Sequence, residues 1–166
     1  MNIIIVHLKR SGATLPQTQV FNLGRSSSNK LFKALSNDFT HLDISKTKAI
    51  HQVSNVEQAV ISYENDLRNK VKSGVKQKII ALRHLYNECI QLNKQNKDIY
   101  FGCWCMDELN PKPYDHVCHC QPLKKIILNK WNKDVINNPA FVVKAKVVNN
   151  DQQSILTFNG LGINEH

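Results

Sequence analysis

The chain lacks any apolar run close to the roughly 18 residues that a membrane-spanning helix requires, so no membrane partner is expected. It contains no G-x-x-x-x-G-K-[ST] loop and no G-x-G-x-x-G turn, so no complete nucleotide-binding fingerprint is present. It has no internal repeat and no low-complexity linker, which argues against a solenoid or a tethered pair of domains. Acidic residues are also scarce: 13 Asp and Glu face 22 Lys and Arg, a formal net charge of +9. Such a surplus favours polyanionic partners, because Lys and Arg near phosphates displace condensed counterions. Nucleotide or nucleic acid is therefore the first expected partner. A basic surface that serves only solubility is the competing reading.

What is present suits one globular domain. At 166 residues, with 42% hydrophobic and 21% charged residues, the chain can bury a core and shows neither bulk disorder nor a fibrous composition. The expected fold is α/β: a small single-domain sheet with packed helices and a C-terminal β-hairpin. Residues 1–131 would form the core and 132–166 the hairpin extension.

Asn2 to Leu8 is a β-branched run that suits a buried strand, and Val20 to Leu23 suits a second. Residues 30–53 show no assignable pattern. Ser54-Asn55-Val56-Glu57 has the spacing of a capping box, and Val56, Val60, Tyr63, Leu67 and Val71 then recur at helical spacing. Gly74 breaks that helix. A second, from about Val75 to Lys94, would bury Ile79, Leu82, Leu85, Tyr86, Cys89 and Ile90. Ile99 to Cys105 reads as a core strand, with Trp104 packed opposite the two thiols. Gln121-Pro122 resembles an N-cap followed by proline, opening a helix whose apolar face is Leu123, Ile126, Ile127 and Trp131. The runs 141–148 and 154–158 flank Asn149-Asn150-Asp151 as a terminal hairpin.

Asn2 to Leu8 is too short for a signal-peptide core and has no basic flank before it, so a cytoplasmic location, with reduced thiols, is expected. Four of the five cysteines fall in Cys103-Trp104-Cys105 and Cys118-His119-Cys120, while Cys89 reads as a small buried hydrophobe. Residues two apart in a strand face the same side, and thiols before a helix start are favoured as thiolates. Three readings stand. A zinc site could draw four ligands from Cys103, Cys105, Cys118, Cys120, His116 and His119, because Zn²⁺ accepts thiolate and imidazole tetrahedrally. A reactive site would use Cys103 or Cys118 as nucleophile and His119 as acid/base. Otherwise the cysteines are core and loop residues.

At these residues the chain resembles the phage and bacterial domain-of-unknown-function family 4326. The resembling pieces are Gly24-Arg25-Ser26-Ser27, the helices from Ser54 to Lys94, Gly102-Cys103-Trp104-Cys105, and Cys118-His119 ahead of Leu123, together spanning roughly residues 18–131. The family usually continues Cys-His with Gly-Asp, where this chain has Cys120-Gln121, and its link between the two cysteine pairs is shorter. The resemblance implies a phage source and where to look, and no activity.

Gly24-Arg25-Ser26 with Asn29 could bind an anion through backbone amides and a bidentate guanidinium; a serine-rich turn and cap is the alternative. Arg68, Lys72, Lys76 and Arg83 around the Gly74 break suggest an electropositive surface. The leading expectation is a phage-type accessory protein that recognises nucleotide or nucleic-acid phosphates, with the Cys/His cluster at or beneath the site. The alternative is a non-enzymatic factor, for host takeover or anti-defence, whose zinc-stapled surface binds a host protein.

Overall fold

A computed structural model describes residues 1–9, 14–105, 112 and 115–138. The expected hairpin over 141–158 lies outside the described residues.

The first strand, β1 (Ile3–His7), carries the β-branched run, and Ile3, Ile5 and Val6 are buried. β2 (Val20–Asn22) stops just before Leu23, whose N–H still donates to the Gly102 carbonyl at 2.9 Å. Asn29 caps the single turn α1 (Lys30–Lys33), its Oδ1 accepting from Leu31 N at 2.9 Å and Phe32 N at 3.3 Å. The segment without a readable pattern also holds β3 (Phe39–Thr40) and β4 (His51–Gln52), a two-stranded parallel ladder. Elements this short repeat no face, which is why periodicity missed them.

α2 (Val56–Lys72) begins one residue later than the capping box implied: Asn55 is the cap, and its Oδ1 accepts from Gln58 N at 2.8 Å. Asn serves that position as well as Ser does. The helix buries Ala59, Val60, Tyr63 and Leu67. Gly74 then takes a left-handed φ of 77°, which lets the chain turn into α3 (Lys76–Lys94) at little steric cost. α3 buries Ala81, Leu85, Tyr86, Cys89, Ile90 and Leu92, while Ile79 and Leu82 are only half-buried.

β5 (Ile99–Cys103) is the centre of the main sheet, with order β1-β5-β2 and parallel pairing on both sides; Phe101 stands beside Ile5 and Phe21. Sheets of this kind are covered on both faces, which accounts for the near-continuous apolar run in β5. Gly102 has no room for a side chain, since an added Cβ would lie 2.9 Å from Leu8 Cγ. The strand ends at Cys103, earlier than the sequence implied, and Trp104-Cys105 form a bend.

α4 (Cys120–Asn137) starts before the expected Gln121 cap and runs past Trp131, beyond the boundary expected at residue 131; Leu123, Ile127 and Trp131 are buried. Pro122 still falls in the first turn, where a missing N–H breaks no intrahelical bond. On the helical pair, Arg68 is bound to Glu64 (2.6 Å) and Lys70 to Asp66 (2.6 Å), so the basic stripe around Gly74 is partly neutralised. Among the described residues no helix is long and apolar enough to cross a membrane.

Candidate metal centre and adjoining cleft

All three parallel strands deliver their carboxyl ends to one edge, where Leu23-Gly24 follow β2 and Trp104-Cys105 follow β5. Open parallel sheets hold ligands at that edge because the loops there diverge and leave a crevice. The start of α4 packs beside it and brings Cys118, His119 and Cys120 against Cys103.

The metal-ligating atoms of Cys103, Cys118, His119 and Cys120 lie within 4.8 Å of one another, and all four residues are buried. The Sγ atoms of Cys103 and Cys118 are 2.9 Å apart, and those of Cys103 and Cys105 are 3.0 Å apart. These gaps exceed the roughly 2.05 Å of a disulfide, and all the cysteines are free. They fall inside the edge of about 3.8 Å that Zn–S bonds of about 2.3 Å would set in a tetrahedron, so an ion needs a spread of only roughly 1 Å. This cluster could hold a metal ion.

His119 shows how the site is organised. Its Nε2 is 3.0 Å from the Leu23 carbonyl and its Nδ1 is 3.4 Å from Cys105 Sγ. A carbonyl acceptor holds the proton on Nε2 and turns Nδ1 toward the thiols, where it could bind an ion on losing its own proton, the usual outer support of a metal-binding imidazole. Tyr63 packs edge-on to the same ring, centroids 5.6 Å apart, and its hydroxyl is anchored on the Leu35 carbonyl at 2.6 Å.

Gln121 shapes the cysteine turn. Its Oε1 accepts from both Val117 N and Cys118 N at 2.8 Å, and its amide donates to the Lys112 carbonyl. A buried amide with both ends satisfied rigidifies the loop that presents Cys118. His116, with a left-handed φ of 46°, turns the chain into this loop and lies outside the group of mutually close ligand atoms.

The electrostatics of the cluster are compatible with a bound cation. Burial pushes the Cys118 thiol well above its ordinary range, with hydrogen bonds from Cys103 and Cys105 adding to the effect. For Cys120 burial also raises the value, but hydrogen bonds from Cys103 and Cys118 outweigh it and the thiol is lowered. Burial works to lower His119; the negative charge of Cys105 and its hydrogen bond overcome this and bring it up to about 9. Several buried thiols cannot all ionise without a positive charge among them, and a bound divalent ion supplies one.

Beside the cluster lies a cleft of about 550 Å³, lined in part by Gly24, Arg25, Ser26, Trp104, Cys105 and His119. Trp104 was expected in the core. It is instead 53% exposed, its indole Nε1 donating to Ser26 Oγ at 3.0 Å. Gly24 leaves space for that ring, since a Cβ there would stand 3.2 Å from Trp104 Cδ1. Arg25 Nη1 is buried with no hydrogen-bond partner among the described residues. His41, Lys46 and Lys48, from the segment the sequence left unassigned, also line the cleft.

Cys103, Cys105, Cys118, His119 and Cys120 are therefore brought together. Cys103 and Cys118 are fully buried, whereas Cys105 is exposed and lines the cleft. Gly24, Arg25 and Ser26 line the cleft as well; Asn29 is not among its lining residues and spends its side chain on the α1 cap. Gln121 and Tyr63 were missed as positioning residues, although a glutamine directly after Cys-His-Cys is a polar residue at an apolar helix start. The chain matches no family model, no curated protein and no solved structure.

Proposed function

We propose that this is a phage-type accessory protein that recognises phosphate-bearing ligands, nucleotide or nucleic acid, in the cleft, above a zinc ion held by the Cys/His cluster. The observation that carries the reading is Arg25, which lines the cleft and whose Nη1 is buried without a hydrogen-bond partner among the described residues. A guanidinium nitrogen withdrawn from water and left unbonded is costly, and a bidentate phosphate satisfies it. Trp104 supports the same reading, because an exposed indole held in place by Ser26 offers a base a stacking face. Lys48 adds positive charge to the cleft lining, as does Lys46, whose Nζ lies 3.9 Å from Asp43 Oδ2. Zinc suits the cluster because thiolate and imidazole donors are those it takes in four-coordinate sites. The phage source rests on the resemblance to family 4326 at Gly24-Arg25-Ser26 and at the two cysteine pairs.

The test titrates metal-loaded protein with inorganic phosphate, a nucleoside monophosphate and a short oligonucleotide, following Trp fluorescence at low salt. Quenching that saturates, weakens as salt rises and is lost in Arg25→Ala supports the proposal. No binding of any of the three at low salt sinks it. The second reading, a host-protein-binding factor, draws on exposed Leu42, which lines the cleft, and on exposed Ile44 and Ile50. In that case affinity would depend on those side chains and vary little with salt.

A further inference from the structure

The cluster has one donor more than a four-coordinate ion can use. The ligand atoms of the buried Cys103, Cys118, His119 and Cys120 lie within 4.8 Å of one another. Cys105 Sγ is a fifth donor beside that group, 3.0 Å from Cys103, 3.4 Å from Cys118 and 3.4 Å from His119 Nδ1, so it competes for one of the four positions.

The donors differ in how they are held. Cys103 sits in the β5 ladder opposite His7, and its carbonyl accepts from Leu8 N at 2.9 Å. Cys118 is fixed through its N–H by Gln121, and its Sγ accepts from Cys120 N at 3.3 Å. His119 is oriented by the Leu23 carbonyl. Cys105 follows the end of the strand in a bend, is exposed, and is the thiol of the cluster that lines the cleft. A donor that is near the ion, open to solvent and weakly anchored is the one that leaves. Sites that keep one such position open admit water or substrate to the metal, whereas purely structural sites are closed.

We infer that Cys105 is the exchangeable donor of the metal centre, and that an anion seated on Arg25 reaches the metal at the position Cys105 vacates. The ligand class is a phosphate whose oxygens divide between the guanidinium and the ion. This deepens the proposed function and rests on its reading of the cleft as an anion site. Cys105 exchange itself follows from the cluster alone.

The experiment uses protein loaded with Co²⁺, whose thiolate charge-transfer bands report how many sulfurs are bound. With Cys105 exchangeable, iodoacetamide alkylates Cys105 and leaves the metal in place, read by peptide mass spectrometry and elemental analysis. Cys105→Ser keeps one metal per chain and a wild-type circular dichroism spectrum, whereas Cys118→Ser loses the metal. Added inorganic phosphate shifts the Co²⁺ d–d bands in the wild type, and Arg25→Ala abolishes that shift.

If phosphate binds by calorimetry without any change in the cobalt spectrum, the cleft reading stands and the inference falls. If phosphate does not bind, the cleft reading fails, and alkylation of Cys105 with metal retained still supports exchange. Protection of Cys105, or loss of the ion on its alkylation, overturns it. Failure of Co²⁺ to bind at all overturns it too.

Discussion

The His119 Nε2 lies 3.0 Å from the carbonyl of Leu23, a bond that joins the end of β2 to the start of α4 across 96 residues of sequence. It ties the main sheet to the ligand cluster. Occupancy of the cluster should therefore stabilise the whole domain, because metal-binding free energy is coupled to folding free energy when ligands come from separate elements. Extraction with a chelator is expected to lower the thermal midpoint by several degrees, and one equivalent of Zn²⁺ to restore it. A midpoint indifferent to metal would show that the cluster is a set of core thiols.

Replacing Gln121 by Leu leaves the half-buried Val117 amide and the buried Cys118 amide without their acceptor. The expected cost is about 1–3 kcal/mol in stability, and metal affinity should fall by roughly 10- to 100-fold, as for other residues that orient ligands. Gln121→Glu restores the acceptor but cannot donate to the Lys112 carbonyl, so it should recover part of the affinity. Competition against a chromogenic chelator measures both variants. Equal affinity in Gln121→Leu and wild type would assign Gln121 to packing alone.

Gly24→Ala places a methyl 3.2 Å from Trp104 Cδ1 and 3.3 Å from Asn22 Oδ1. The indole must give way and weaken its bond to Ser26. A shifted Trp emission maximum is expected, together with weaker nucleotide binding and little change in metal content. Loss of metal in this variant would mean that the cleft and the cluster are one mechanical unit.

Asp134 accepts from Lys130 and from Tyr86, and the Lys130 hydrogen bond, followed by that of Tyr86, holds its carboxyl below the ordinary value. A carboxyl that is more acidic in the folded state contributes stability above its unfolded value, near pH 4, and loses it as pH falls through the folded value. Asp134→Asn should therefore lower the thermal midpoint at pH 7, and the difference from wild type should shrink on acidification below about pH 4. A difference constant with pH would show that the carboxylate charge is not what binds α4 to α3.

Local rules carried much of the fold. The β-branched run at Ile3–His7, the helical spacing from Val56 to Lys72 and the aromatic run of β5 each contain enough side chains to declare a period or a buried run, and each became the element its pattern implied. The grouping of the two cysteine pairs was likewise legible, since short spacing confines each pair to one turn or strand end. Stretches that bury too little to repeat a face were not legible, as with α1, β3 and β4.

Tertiary structure decided how those pieces are used. Trp104 faces the cleft because Gly24 and Ser26, nearly 80 residues away in sequence, leave room for the ring and bind its Nε1. Tyr63, Gln121 and the Leu23 carbonyl became supports of His119 and Cys118 only once two helices and a strand end met at one edge of the sheet. By itself, the sequence determined which residues could form strands, helices and a thiol cluster, because those preferences act between near neighbours. Which thiol meets solvent, and which guanidinium is buried without a partner, depends on distant segments closing over one another, and that only the folded chain decides.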